Sequence, residues 1–212
     1  METCVIFCAG EFDYPAESIS SGDYLIAADG GLAHLNKLNL IPHAIIGDFD
    51  SLGHTPEGAI VFPEEKDDTD SMLAIRHGLD KGCRRFLLYG ALDGPRLDHT
   101  IANLQSLQYL ADHNAQGFLV GLKQVATVIK NGKLHFPANA DGIVSVFCMS
   151  ADAKGVTING LKYSLENGTL SAGFPLGVSN HFIGKKSEIS AQNGSLLVIF
   201  QRGNPLPEVT PC

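Results

Sequence analysis

The chain has 212 residues, of which 44% are hydrophobic, and a formal net charge of −8 at pH 7. This length and apolar content predict a globular protein of one large or two small domains and argue against a disordered chain. The negative charge balance argues against a binder of bulk DNA or RNA, because such a protein carries a basic face. No apolar run is long enough to span a membrane.

The N-terminal stretch METCVIFCAG has no basic region before its apolar run, so it predicts no signal peptide. The five cysteines are odd in number and include no CxxC pair. Three of them lie inside apolar runs, as expected of small core residues in a reducing compartment. These features predict a cytoplasmic protein with no membrane partner.

The first part of the chain alternates short apolar runs with helical patterns. The runs TCVIFCAG, DYLIAADGG, HAIIGDFDS, GAIVFP, RRFLLYGAL and QGFLVGL are typical of buried parallel strands. The helical patterns GLAHLNKLN, DTDSMLAIRHGLDKG and HTIANLQSLQYLADHNA lie between them. The alternation predicts an α/β domain with a mostly parallel sheet over residues 1–124. The expected apolar face of the third helix consists of Ile101, Leu104, Leu107 and Leu110 (or Ala111).

The second part of the chain has a different rhythm. Alternating segments follow one another at intervals of roughly ten residues, as in a β-sandwich or barrel, and no long helical pattern remains. Within ATVIKNGKLHF the pair Asn131-Gly132 predicts a β-hairpin. Residues 125–212 are therefore predicted to form an all-β domain, ending in a loosely held, proline-rich tail, RGNPLPEVTPC.

Acidic residues follow the predicted strands of the first domain. Ligands of open α/β sheets bind at the carboxyl ends of the strands, so these acids are expected to converge on one crevice. Converging carboxylates repel one another unless a cation joins them. Mg²⁺ suits such a site, because it prefers a few carboxylates together with waters and phosphates, whereas zinc would require closely spaced Cys or His. The acids are Asp29, Asp48, Asp50, Asp67, Asp68, Asp70 and Asp98.

Each acidic motif also has a purely structural explanation. Asp67 or Asp68 suits a helix N-cap, and Asp70 suits the first turn of the following helix. Asp50-Ser51 fits a side-chain-stabilised turn. The glycines of ADGG fit a tight turn that needs positive φ. Each explanation is reasonable singly, but all of them together on one sheet edge are much less so.

Cationic and glycine residues near these acids favour an anionic ligand. Arg96 lies in a glycine- and proline-containing loop, where its guanidinium can grip phosphate oxygens, and Lys66 precedes the acids of KDDTD. Gly30 and Gly31 allow the backbone to approach a ligand closely. His99 is more typical of a helix start than of a catalyst. Neither GxxxxGK[ST] nor GxGxxG occurs, which excludes a P-loop and a dinucleotide fingerprint.

Taken in order and spacing, ADGGLAHL, PHAIIGDFDSL, KDDTDSMLAI and GALDGPRLDHTIANLQSL resemble the thiamine pyrophosphokinase (thiamine diphosphokinase) family. GVTINGLKYSLENGTLSAGFPLGVSN resembles the thiamine-binding β domain of that family, so the resemblance covers nearly the whole chain. It implies a catalytic α/β domain, a C-terminal β-sandwich, and a homodimer with active sites between the subunits. The implied reaction transfers pyrophosphate from ATP to the hydroxyethyl group of thiamine, giving thiamine diphosphate and AMP.

The resemblance also implies roles for individual residues. Asp48, Asp50 and Asp70 match the Mg²⁺-binding and catalytic acids, and Arg96 is expected to steady the transferring group. Residues expected at the nucleotide are Asp29, Gly30, Gly31, Ser51, Lys66, Thr69 and Asp98. Residues expected at thiamine are Asp70, Ser179 and Asn180. Animal members place a tryptophan against thiamine; this chain has none, and Phe182 is the candidate substitute.

The sequence leaves three alternatives to this function open. The first is pyrophosphate transfer to another alcohol, such as a hydroxymethyl pterin, and the second is metal-dependent phosphohydrolysis. The third is a nucleotide- or thiamine-sensing protein that has lost catalysis, which the complete carboxylate set and Arg96 argue against. For the transferase, the expected mechanism is in-line displacement at the β-phosphorus, assisted by Mg²⁺.

Overall fold

The computed structural model describes residues 3–12, 19–49, 54–62 and 68–212. The predicted site residues Asp50, Ser51 and Lys66, and the acid Asp67, lie outside these ranges. The chain divides into two compact units. One consists of Met1–Ser106 and His113–Leu122, and the other of Leu107–Asp112 and Lys123–Cys212.

The first unit is built on a parallel sheet. Its described strands pair in the order β6-β5-β1-β2-β3-β4. In β1, β2, β5 and β6 the last four residues are all buried, as expected of strands covered on both faces. The predicted α/β architecture is therefore confirmed. The strands are β1 (Thr3–Phe7), β2 (Tyr24–Ala28), β3 (Ala44–Gly47), β4 (Ile60–Val61), β5 (Arg85–Tyr89) and β6 (Gln116–Val120).

Helices connect these strands. A 3₁₀ turn (Asp29–Gly31) leads into α1 (Leu32–Lys37), and the longer helices are α2 (Asp70–Asp80) and α3 (Leu97–Asp112). Helix α2 begins after the N-cap Thr69 and ends before Gly82, whose φ of +86° is typical of a helix stop. Within the described residues, no helix is long and apolar enough to cross a membrane.

The predicted apolar face of α3 is correct only in the second half of the helix. Leu107 and Leu110 are buried, but Ile101 is 50% exposed. The reason is that the inward-facing side chains of the first half are polar: Thr100 and Asn103 line a cavity. The helix also begins two residues earlier than the helical pattern indicates.

The second unit contains two antiparallel sheets. One has the order β12-β9-β14-β7 and the other β11-β10-β13-β8-β15. Phe136 of β8 contacts Phe200 of β14, with ring centroids 5.1 Å apart, so the two sheets pack face to face. This confirms the predicted β-sandwich. The strands are β7 (Gln124–Lys130), β8 (Gly132–Phe136), β9 (Ile143–Cys148), β10 (Asp152–Asn159), β11 (Leu165–Ser171), β12 (Gly177–His181), β13 (Ser187–Ser190), β14 (Ser195–Gln201) and β15 (Glu208–Pro211).

The predicted hairpin at Asn131-Gly132 is wrong. The turn forms, with Asn131 at φ +47°, but β7 pairs with β14 whereas β8 pairs with β13 and β15. The Asn131 side chain accepts a hydrogen bond of 2.9 Å from the backbone N–H of Gly194, in the loop between β13 and β14. The turn therefore separates two strands into different sheets instead of pairing them.

The prediction of a loosely held tail is also wrong. Residues 208–211 form β15, an edge strand that pairs with β8 in the register Val209↔Leu134. Pro211 ends the strand at the edge of the sheet, where a missing N–H costs little.

Candidate active site

The carboxyl ends of β1, β2, β3 and β5 border a cavity of about 730 Å³. Residues that directly follow these strands line it, together with the first turns of α2 and α3. The position agrees with the general rule that open α/β sheets bind ligands beyond the carboxyl ends of their strands. The described side chains on its wall include the acids Asp29, Asp48, Asp70 and Asp93 and the cation Arg96.

Two unusual backbone conformations shape the acidic side of this cavity. Asp29 has φ +45° in the turn after β2, and Phe49 has φ +60° directly after Asp48. Left-handed conformations are uncommon for non-glycine residues and cluster at functional sites, where the surrounding structure holds them in place. The Phe49 side chain is 2% exposed, so burial of its ring holds the turn next to Asp48.

Close packing explains the glycines of the ADGG motif. A Cβ atom at Gly31 would overlap the backbone carbonyl of Phe7, so the turn can approach β1 only with glycine at this position. Asp29 lines the cavity, whereas Gly30 and Gly31 are not among its described lining residues. Their predicted contact with the nucleotide stays a prediction.

The motif KDDTD contributes to both the helix cap and the cavity. Thr69 caps α2 by accepting a hydrogen bond from the N–H of Met72, and Asp70 lies in the first helical turn with a place on the cavity wall. Asp68 instead pairs with Arg76 at 2.8 Å. The N-cap is therefore Thr69 and not Asp68, and both explanations apply to Thr69 and Asp70, because Thr69 also lines the cavity.

Arg96 is held by Asp98. The guanidinium Nε and Nη2 donate to the two carboxylate oxygens at 3.3 and 2.5 Å. The hydrogen bond from Arg96 lowers the pKa of Asp98 and raises the pKa of Arg96, so both groups stay charged. Arg96 lines the cavity, but Asp98 is not among the described lining residues. This geometry favours a role for Asp98 in orienting Arg96.

The sequence reasoning missed Asp93 as a cavity residue. Its Oδ2 accepts a hydrogen bond of 2.5 Å from the N–H of Leu122, and its carbonyl accepts one of 3.1 Å from Glu11. Both bonds join segments that are distant in sequence, so only its place in the motif GALDG could have drawn attention to it. Asp93 thus holds the loop before Arg96 against β1 and the end of β6.

Cys8 lies on the cavity wall but is not suited to nucleophilic chemistry. Its side chain is 8% exposed, and burial, together with the charge of Asp70, raises the pKa of Cys8 to about 12. The thiol therefore stays protonated near neutral pH, and only the thiolate is a strong nucleophile.

The acids on the cavity wall offer carboxylate oxygens to a metal ion, beside the imidazole of His99 and the protonated thiol of Cys8. Asp48 and Asp70 line the same cavity, and the third predicted ligand, Asp50, lies outside the described residues. Among residues 3–12, 19–49, 54–62 and 68–212 no group of three or more His, Cys, Asp or Glu side chains could hold a metal. An all-oxygen donor set suits Mg²⁺, and the predicted three-ligand site stays a prediction.

In the second unit, Asn180 has a structural position. It is 4% exposed, its Oδ1 accepts from the N–H groups of Tyr163 and His181 at 2.9 Å, and its Nδ2 donates to the Tyr163 carbonyl at 2.7 Å. The neighbouring Ser179 has φ +59° and donates its backbone N–H to Ser145 Oγ. Asn180 therefore anchors the segment that carries Tyr163.

Phe182 cannot be the exposed aromatic contact suggested by the sequence. Its side chain is 8% exposed and packs against Phe136 in the sandwich core, with ring centroids 5.0 Å apart. Tyr163 is 59% exposed instead, and both its N–H and its carbonyl are bound to Asn180. Tyr163 ends the motif GLKY within the segment that resembles the thiamine-binding domain, but the sequence alone predicts no role for it.

Family models match both parts of the chain. The thiamin pyrophosphokinase catalytic domain matches residues 16–119, and the thiamin pyrophosphokinase vitamin B1 binding domain matches residues 132–196. Both models describe domains of one kind of pyrophosphate-transferring enzyme, and they coincide with the α/β unit and the β-sandwich, so the chain is a two-domain enzyme of the transferase class. Comparison with individual proteins and solved structures supports the same family.

The thiamine pyrophosphokinase of Bacillus subtilis (strain 168) is 28% identical over 183 residues, which are 82% of this chain and 85% of that protein. The crystal structure of the B. subtilis enzyme has a TM-score of 0.84 at 25% identity, covering 95% of this chain and all (100%) of that one. The Geobacillus thermodenitrificans enzyme has a TM-score of 0.77 at 27% identity, with 95% and 97% covered. The chain belongs to the thiamin pyrophosphokinase family.

Proposed function

We propose that the protein transfers pyrophosphate from ATP to the hydroxyethyl group of thiamine, giving thiamine diphosphate and AMP. Family membership supports pyrophosphate transfer to thiamine. The observation that carries the choice of a polyphosphate donor is the cavity itself. Asp29, Asp48 and Asp70 come from three separate motifs and line one cavity with Arg96, the only Arg or Lys among the described lining residues.

The proposed chemical step is an in-line displacement. The hydroxyl oxygen of thiamine bonds to the β-phosphorus while the bond from that phosphorus to the oxygen bridging the α-phosphate breaks, and AMP leaves with that oxygen. The hydroxyl proton passes to a cavity acid, with Asp70 as the candidate acceptor. Arg96 binds oxygens of the transferring group, oriented by Asp98. Positioning and charge compensation account for most of the catalysis in such transfers.

Asp48, Asp50 and Asp70 would hold Mg²⁺ in this proposal. Carboxylate oxygens are a ligand type that this ion prefers, which is the chemical reason for the assignment. A bound Mg²⁺ would offset charge on the phosphate oxygens and on the leaving group. The acids Asp29, Asp48 and Asp70 keep the cavity anionic, so ATP without a cation would be repelled from it.

The thiamine-binding residues in this proposal are Tyr163 and Ser179. Thiamine carries a cationic thiazolium ring, and an exposed aromatic ring attracts such a cation. In this structure the ammonium of Lys162 lies 5.3 Å from the Tyr163 ring centroid, so the ring already holds one cation that thiamine would replace or join. Tyr163 is both exposed and fixed, because Asn180 binds its backbone N–H and carbonyl. Asn180 then contributes by holding the binding segment, with its second Nδ2 hydrogen as the remaining group for a direct contact.

We also propose that the protein acts as a homodimer in which the partner copy completes each active site. Large apolar side chains are exposed beside both sets of functional residues. Leu97 (71% exposed) follows Arg96, and Val178 (42%) precedes Ser179. Exposed apolar patches of this kind commonly mark protein interfaces.

The test is an incubation of the purified protein with ATP, Mg²⁺ and thiamine, followed by chromatography of AMP and thiamine diphosphate. Equal, thiamine-dependent amounts of both products are expected. A parallel reaction with a hydroxymethyl pterin tests the alternative acceptor. Release of AMP without any acceptor would identify a phosphohydrolase, and thiamine binding without turnover would identify a sensor.

A further inference from the structure

A chain of side-chain hydrogen bonds connects three elements along the cavity wall, and its members Thr69, Ser71 and Asn103 all line the cavity beside Asp70. Asn103 of α3 donates from Nδ2 to the carbonyl of Ala91, just after β5, at 2.8 Å. Ser71 Oγ donates to Asn103 Oδ1 at 2.9 Å, and Ser71 Oγ lies 3.0 Å from Thr69 Oγ1. Thr69 and Ser71 flank Asp70 in the first turn of α2.

The direction of every bond in this chain is fixed by its ends. The Ala91 carbonyl can only accept, so the amide of Asn103 must present Nδ2 to it and Oδ1 to Ser71. Ser71 uses its one hydroxyl hydrogen on Asn103, so the Thr69 hydroxyl donates to Ser71. The N–H of Met72 in turn donates to Thr69 at 3.3 Å.

The direction of the Thr69–Ser71 hydrogen bond matters for the predicted contact between Thr69 and the nucleotide. Its only hydroxyl hydrogen points to Ser71, so in this arrangement the hydroxyl has no hydrogen to offer a phosphate. Ser71, at the centre of the chain, is 9% exposed, Asn103 is half-buried and Thr69 is exposed. A hydrogen bond away from water is costly to break, so the Ser71–Asn103 bond is the one that holds the chain most firmly. The hydrogen bonds of Thr69 and Ser71 therefore hold the first turn of α2 in place.

We propose that Asn103 is a positioning residue for Asp70. Through Ser71 and Thr69, it fixes the backbone on both sides of Asp70 relative to the end of β5, and so sets where the Asp70 carboxylate lies on the cavity wall. The inference rests on the proposed function, in which Asp70 acts on the reacting groups. Small displacements of such a group lower the rate of reaction far more than they weaken substrate binding.

The test compares Asn103→Ala and Ser71→Ala with a matched control, Ser106→Ala. Ser106 is on the same helix, is 2% exposed, and donates its hydroxyl only to the Asn103 carbonyl at 2.6 Å, without a link to α2. kcat, the KM for thiamine and the melting temperature are measured for all of them beside the wild type. The proposed contacts to the thiamine rings, Tyr163 and Ser179, are on other elements, so a displaced Asp70 should lower kcat while the KM for thiamine changes little.

In Asn103→Ala and Ser71→Ala, kcat should fall about 10- to 100-fold, the range for residues that orient catalytic groups. Their KM for thiamine should stay within about two-fold of the wild type, and Ser106→Ala should retain wild-type kcat. If Asn103→Ala does not fold, Ser71→Ala decides. Wild-type kcat in a folded Asn103→Ala or Ser71→Ala variant would overturn the assignment. An equal loss of kcat in Ser106→Ala would overturn it too. A wild type without thiamine-dependent turnover would instead overturn the proposed function and, with it, this role.

Discussion

Asp48 and Asp70 reach the cavity from different elements, the turn after β3 and the first turn of α2. Asp48→Asn and Asp70→Asn each keep the side-chain volume but remove a charge that the proposed transition state needs. Either change should lower kcat on the order of 100-fold or more, with little change in melting temperature. Wild-type turnover in either variant would contradict the proposed role of that acid.

Asp68→Asn is the matched control for these two variants. Asp68 lies two residues before Asp70 and pairs with Arg76 at 2.8 Å, with half of the Arg76 side chain (51%) exposed. Such partly exposed ion pairs contribute about 1 kcal/mol or less to the free energy of unfolding. Its loss should therefore leave both kcat and the fold close to those of the wild type.

The burial of Cys8 predicts how fast this single residue reacts with a thiol reagent. Burial raises the pKa of Cys8 to about 12, so the reactive thiolate is scarce at pH 8 and its fraction grows as the pH rises toward that value. Cys212 is exposed. Iodoacetamide at pH 8 should modify Cys212 well before Cys8, as followed by mass spectrometry of the peptides. Equal labelling rates would show that Cys8 is neither buried nor protonated as described.

At the scale of elements, the sequence predicted what depends on local pattern. Strands such as β1 and β5 could be recognised because a strand buried on both faces is a continuous apolar run. The partner of a strand is not encoded locally. The local pattern at Asn131 therefore predicts a hairpin that does not form. Strand β15 is not predicted because it pairs with β8, some 75 residues earlier, as the His135–Thr210 hydrogen bond shows.

The same distinction applies to the cavity. Asp29, Asp48 and Asp70 could be grouped in advance, because the carboxyl ends of parallel strands lie at one edge of the sheet. Asn103 could not be singled out, since its position depends on hydrogen bonds to Ser71 and Ala91 that no spacing rule predicts.

Phe136 connects the two sheets of the second unit, so its replacement tests how these sheets are held together. It is 2% exposed and packs against Phe182 and Phe200. Phe136→Ala should lower the free energy of unfolding by about 3–5 kcal/mol, the usual effect of removing a buried ring. Phe136→Leu fills most of the space and should cost less than about 1.5 kcal/mol. Urea unfolding measures both, and similar small effects would mean that the ring is not central to the sandwich.

For the whole molecule, the proposed dimer accounts for exposed apolar surface on both units. Leu97 and Ile101 expose 71% and 50% of their surface on α3, next to the cavity. In the second unit, Phe174 and Leu176 expose 66% and 56% in the segment before Ser179. If the partner copy completes each active site, contacts between copies would cover these side chains and bring the thiamine-binding residues of one copy to the phosphate-binding residues of the other.

Pairing two defective subunits tests this arrangement. Asp70→Asn disables the proposed catalytic side, and Tyr163→Ala weakens the proposed thiamine side. The variants are co-expressed with different tags, the mixed dimer is isolated by two affinity steps, and its activity is measured at thiamine concentrations well below the wild-type KM. In a shared-site dimer, one of the two sites then combines two intact halves, so activity should reach about half that of the wild type. A dimer with complete sites in each subunit would give only the average of the two weak parents, and a monomer would yield no mixed species after the second affinity step.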